Sequence, residues 1–152
     1  MAAPPAIAKA CEKLQGQVTS ATSSISQYAA IEAMMTDPKT SADIREMVDT
    51  FRDRRDKMYE ILNTIPGLVN HKPKGAFYFF PDVTSYFGKT YNGKPINNAC
   101  DLTMYLLDVG HVALVPGDAF GNPDCIRISY AASMEQLLVA LERIRKALAD
   151  LK

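Results

Sequence analysis

The sequence predicts a two-layer α+β domain: a small mixed or antiparallel sheet with helices packed mainly on one face, entered through a long N-terminal helical stretch. Three observations carry this. Apolar residues recur at helical spacing at both ends of the chain, short aromatic and β-branched runs bounded by Gly and Pro fill the middle, and no repeat or linker divides the 152 residues. With 47% hydrophobic residues and 22% charged, residues 1–152 read as a single domain able to bury a core.

Residues 4–35 carry the stripe Ile7, Cys11, Leu14 and Val18, then Ile25, Tyr28, Ile31, Met34 and Met35. The run of small hydroxyl residues between them competes with helical hydrogen bonding, which predicts a break near 19–23 and a restart capped by Ser23 or Ser24. Residues 41–64 form the clearest helix, with Ile44, Met47, Val48, Phe51, Arg55, Met58, Leu62 and Ile65 on one buried face and Pro66-Gly67 as its stop. Within it, Arg52/Asp56 and Asp53/Lys57 are spaced to pair along a solvated face. Leu68–Asn70 is a weak strand and Ala76–Phe80 a strong one. Residues 83–97 show no period and read as a long loop. A short helix over Asn98–Val109, strands over Val112–Val115 and Cys125–Tyr130, and a final helix opened by Ser133 and Gln136 complete the order.

Composition removes several function classes. A net charge of zero argues against nucleic-acid binding through bulk charge. No apolar run reaches the roughly 20 residues that cross a bilayer, and no signal-peptide pattern opens the sequence. Cys11, Cys100 and Cys125 are odd in number and widely spaced, so neither a zinc site nor a disulfide framework is expected, and a reducing, cytoplasmic compartment is. No metal site is expected. Walker A, GxSxG, HExxH and GxGxxG patterns are all missing.

One residue stands out physically. Along Cys125–Tyr130, Ile126, Ile128 and Tyr130 alternate with Arg127 and Ser129, so Arg127 sits on the opposite strand face from the isoleucines. A partly desolvated guanidinium needs an anion, and its fork suits a carboxylate. An internal salt bridge, or exposure at a sheet edge, would satisfy it equally.

Five segments, in order, resemble the C-terminal part of the aspartate aminotransferases, among the class I, fold-type-I aminotransferases that use pyridoxal phosphate. They are Lys13–Ser20 with Ser24–Ala30, Phe51–Asp56, Pro73–Tyr78, Val115–Gly121 and Ile126–Ala131. The resemblance implies that Arg127 binds the α-carboxylate of the substrate. It also implies that Phe77 lines the active site (ordinary core being the alternative), and that the Val115–Gly121 loop runs beside it. Thr19 and Ser20 match a polar turn that approaches the cofactor phosphate of the neighbouring subunit in a homodimer. The implied reaction passes an amino group from an aspartate-like amino acid to a 2-oxo acid such as 2-oxoglutarate.

The family's Schiff-base lysine motif has no counterpart here, and Lys9 and Lys13 do not match its position. Met1 falls where the family chain leaves its large cofactor domain. The resemblance therefore implies a C-terminal small domain without that large domain, inactive alone and binding no cofactor by itself. A non-catalytic α/β binding or dimerisation module is the competing expectation.

Overall fold

The computed structural model describes residues 2–152. They form two compact units, Met1–Arg45 and Glu46–Lys152.

In the first unit, α1 (Pro5–Val18) and α2 (Ser24–Met35) are separated by the expected break. Proline at the first position of α1 needs no hydrogen-bond donor there. Ser20 takes φ 62°, a left-handed conformation at the end of α1. Ser23 occupies the N-cap of α2, but its side chain makes no capping bond. Neither helix buries a residue. On α1 the apolar stripe lies on one side, with Ile7, Leu14 and Val18 exposed. On α2 (Ser-Ile-Ser-Gln-Tyr-Ala-Ala-Ile-Glu-Ala-Met-Met) Glu32 is the sole charge and apolar residues point in every direction.

Helix α3 spans Ala42–Leu62, with the Ser41 hydroxyl accepting from the Ile44 N–H at 3.4 Å. Its expected inner face is buried only in the C-terminal half: Met58 and Leu62 are enclosed, whereas Met47 and Val48 are exposed. The expected charge pairs also differ. Arg52 pairs with Asp49 one turn earlier, and Asp56 is taken by Arg55 at 2.7 Å and Lys72 at 3.0 Å, because the 66–75 segment returns alongside α3.

The strands are shorter than the sequence suggests. Of Ala76–Phe80 only β1 (Tyr78–Phe79) is regular strand, since Ala76 adopts φ 57° and Pro81 lacks a donor, although the flanking Phe77 and Pro81 carbonyls still accept from the Tyr130 and Ile126 N–H groups. Val69 makes a single bridge to Asp82 in place of a strand. The expected loop at 83–97 is largely structured: a 3₁₀ turn at Thr84–Tyr86 leads into the hairpin β2 (Thr90–Tyr91) and β3 (Lys94–Pro95). The hairpin turns on Asn92 and Gly93 at φ 49° and 79°, the geometry of a primed turn.

Helix α4 (Ala99–Asp108) is capped by Asn98, whose side chain accepts from the Asp101 N–H at 2.9 Å. After β4 (Val115–Pro116) and β5 (Ile126–Ser129) comes α5 (Met134–Ala149), where the Ser133 hydroxyl accepts from the Gln136 N–H at 3.3 Å.

The main sheet is antiparallel in the order β1-β5-β4, which makes β5 its central strand. Phe79, Ile126 and Ile128 form its inner face and share one core with Met58 and Leu62 of α3, Leu102 and Leu106 of α4, and Leu137, Leu141 and Ile144 of α5. Each such side chain stabilises the fold by about 1.5–3 kcal/mol on burial. Helices on one face and a half-open second face are the two layers the sequence predicts.

Candidate functional site

The second face of the sheet holds the candidate site. Ile126 and Ile128 are buried, so the two-residue period turns Arg127 and Ser129 the other way. Tyr78 is paired with Ser129 and Val115 with Arg127, so both share this outer face. Arg127 is half-buried. Its guanidinium carbon lies 4.4 Å from the Phe120 ring centre and 5.5 Å from that of Tyr78. Among the described residues, no ion pair or side-chain hydrogen bond involves it. The internal salt bridge that the sequence left open is not formed.

The loop that carries Phe120 is pinned at both ends. The Gly117 N–H donates to the Cys125 carbonyl at 2.8 Å, and the Gly117 carbonyl accepts from the Asn122 N–H at 3.1 Å. A Cβ on Gly117 would stand 2.2 Å from the Asn122 carbonyl oxygen and 2.4 Å from that of Cys125, so only glycine fits. Gly121 reverses the chain at φ 83°, directly after Phe120. The Phe120 ring meets the edge of Phe80 at 6.4 Å and 81°. Behind the loop, burial together with Asp82 and Asp124 pushes the Cys125 thiol up from its ordinary value, so this cysteine stays a neutral packing group.

Phe77 lies elsewhere. It is 52% exposed, which removes the reading of ordinary core. Its ring is 6.4 Å from Phe51 and 6.3 Å from Tyr78. It lines a groove of about 630 Å³ with Met47, Val48, Phe51, Arg52 and Lys74, a groove to which Arg127 does not contribute. Tyr78 is the link, touching Phe77 on one side and Arg127 on the other.

Arg55 also borders this groove, but its Nε–H is given to Asp56. The Arg55 and Lys72 hydrogen bonds hold the Asp56 carboxyl down at about 2.

Thr19 and Ser20 belong to the first unit. Their hydroxyls donate to the Gln15 and Gly16 carbonyls, each at 3.5 Å, at the C-terminal end of α1. Among the described residues no group of His, Cys, Asp and Glu is arranged to hold a metal ion. Among the described residues no helix is long and apolar enough to cross a membrane.

The sequence identified Arg127 but not its aromatic neighbours. Alternation places Tyr78 beside Ser129 once the β1–β5 register is known, but nothing local announces that register.

Comparison with known proteins places the chain in a family. The family model described as aminotransferase class I and II matches residues 1–144. A bifunctional aspartate aminotransferase and glutamate/aspartate-prephenate aminotransferase of Petunia hybrida is 48% identical over 100% of this chain and 32% of its own length. An aspartate aminotransferase of Pinus pinaster is 43% identical over 97% of this chain and 30% of its own. The crystal structure of the aspartate aminotransferase from Rhizobium meliloti superposes with a TM-score of 0.84 at 41% identity, covering 98% of this chain and 37% of that one. The chain thus spans about a third of the length of these relatives. On this match across nearly all of its residues, the chain belongs to the class I and II aminotransferase family.

Proposed function

We propose that this chain is the C-terminal part of an aspartate aminotransferase, and that its task is to grip the α-carboxylate of an aspartate-like amino acid or of a 2-oxo acid such as 2-oxoglutarate. The observation that carries the reading is Arg127. It is a half-buried guanidinium on the open sheet face with no acidic partner among the described residues. A carboxylate arriving there finds charge-assisted donors in a site where two rings already thin the water, which strengthens the attraction. Ile126 and Ile128, locked in the core on the opposite face, fix the height and direction of the strand under Arg127.

Pyridoxal phosphate is the cofactor of the parent enzyme in this reading, and supplies the electron sink for amino transfer. The residues of this chain do not fit it by themselves. Among the described lysines none is buried, so none is held in the enclosed setting that covalent attachment requires. The Thr19 and Ser20 hydroxyls are turned onto carbonyls at the negative end of α1. A phosphate contact from that turn, across a homodimer, requires both to rotate away. Phe77 enters as the wall of a groove neighbouring Arg127 and joined to it through Tyr78.

The test uses the 152-residue chain beside a version extended upstream to the length of the relatives. Mixed with pyridoxal phosphate, the short chain gives no new absorbance band and no amino transfer between aspartate and 2-oxoglutarate, whereas the extended protein gives both. Transamination by the short chain alone, or none by the extended one, removes this reading.

A further inference from the structure

The open state of Arg127 poses a physical question: a half-buried cation normally takes a carboxylate from its own chain. Here two rings stand in that place. Attraction to a ring face uses none of the guanidinium N–H donors, whereas a carboxylate partner would occupy them. Phe120 is 47% exposed, so core packing does not explain it. Its loop is nonetheless pinned by the Gly117 hydrogen bonds, and the ring is braced by Phe80. A large apolar ring held rigidly at the surface, 4.4 Å from a cation, has its position explained by that cation.

We propose that Phe120, assisted by Tyr78, is the positioning residue of Arg127: the ring faces hold the guanidinium against the sheet and leave its N–H groups free for an incoming carboxylate. This rests on the reading of Arg127 as carboxylate anchor. It adds a division of labour in which the aromatic loop sets the affinity of the grip without touching the acid.

The experiment follows the Arg127 side-chain Nε–H by NMR in the 152-residue chain, with succinate as probe. Ring currents displace this resonance upfield in the unmodified protein. Phe120→Leu, which keeps bulk but removes the ring, returns it toward the value of an exposed arginine and weakens succinate binding about five- to tenfold. Phe120→Tyr retains both properties, and the Ile126 and Ile128 amide signals stay in place throughout. Tyr78→Leu gives the same changes at smaller size, its ring being 5.5 Å away, and stands in as the deciding variant should Phe120→Leu disturb those amides. An Arg127 signal and a succinate affinity that ignore the deciding variant overturn the proposal, as does failure of Phe120→Tyr to preserve them. A ring-dependent Arg127 signal with no response to succinate in any variant supports the positioning and overturns the anchor reading instead.

Discussion

Arg55 and Arg127 are both half-buried arginines, yet they are in opposite states. Arg55 gives its Nε–H to Asp56 at 2.7 Å, and Lys72 closes the cluster from the returning segment. Arg127 lies over Phe120 and Tyr78 and gives its donors to no side chain among the described residues. The difference teaches that burial does not make an arginine functional. What matters is whether the fold supplies the anion or leaves it to be supplied from outside.

Substituting each arginine sharpens the contrast most. In the extended enzyme, Arg127→Ala lowers kcat/KM for aspartate by about a thousandfold, roughly 4 kcal/mol, while the urea midpoint barely moves. Arg55→Ala does the reverse: turnover holds and the urea midpoint falls only slightly, since solvent reaches both half-buried partners and screens the pair. Equal losses of turnover in the two variants would break the comparison. Next in size is the reverse side of β5. Ile128→Ala leaves a cavity in a fully packed core and costs about 2–5 kcal/mol by denaturant titration.

Gly117→Ala comes third. The new methyl meets two carbonyl oxygens, so the Phe120 loop shifts, stability drops by about 1–3 kcal/mol, and the Arg127 side chain loses its order in NMR spectra. The smallest effect is a pH dependence. Asp56 is held at about 2 against an ordinary 3.8, so the folded chain takes up its proton less readily than the unfolded chain. The stability from this pair is complete above the ordinary value and disappears as pH falls through about 2. Asp56→Asn flattens the decline of the urea midpoint across that acid window.

Local pattern made a good part of this legible. The break between α1 and α2, the cap at Ser133, and the two faces of β5 follow from residue type and spacing alone. The β2–β3 hairpin was legible too, because Asn92-Gly93 is its turn signal. The expectation of a loop arose from the lack of a hydrophobic period, and a two-residue strand is too short to show one. Three features lay beyond reach because each depends on residues distant in sequence. Lys72 reaches Asp56 across a chain reversal, Phe120 reaches Arg127 through a folded loop, and the first turns of α3 stay uncovered although their pattern matches the rest of the helix.

β5 also works as a parity device. Its four residues assign the odd positions, Arg127 and Ser129, to the open sheet face and the even positions to the hydrophobic interior. Insertion of one codon between Cys125 and Ile126 would exchange the two sets, driving a guanidinium inward and an isoleucine out. Fold and recognition would then be lost in one event, whereas replacements confined to positions 127 and 129 leave the interior alone. A mutational library built on this strand therefore separates into two independent halves, one screened for expression and one for ligand preference.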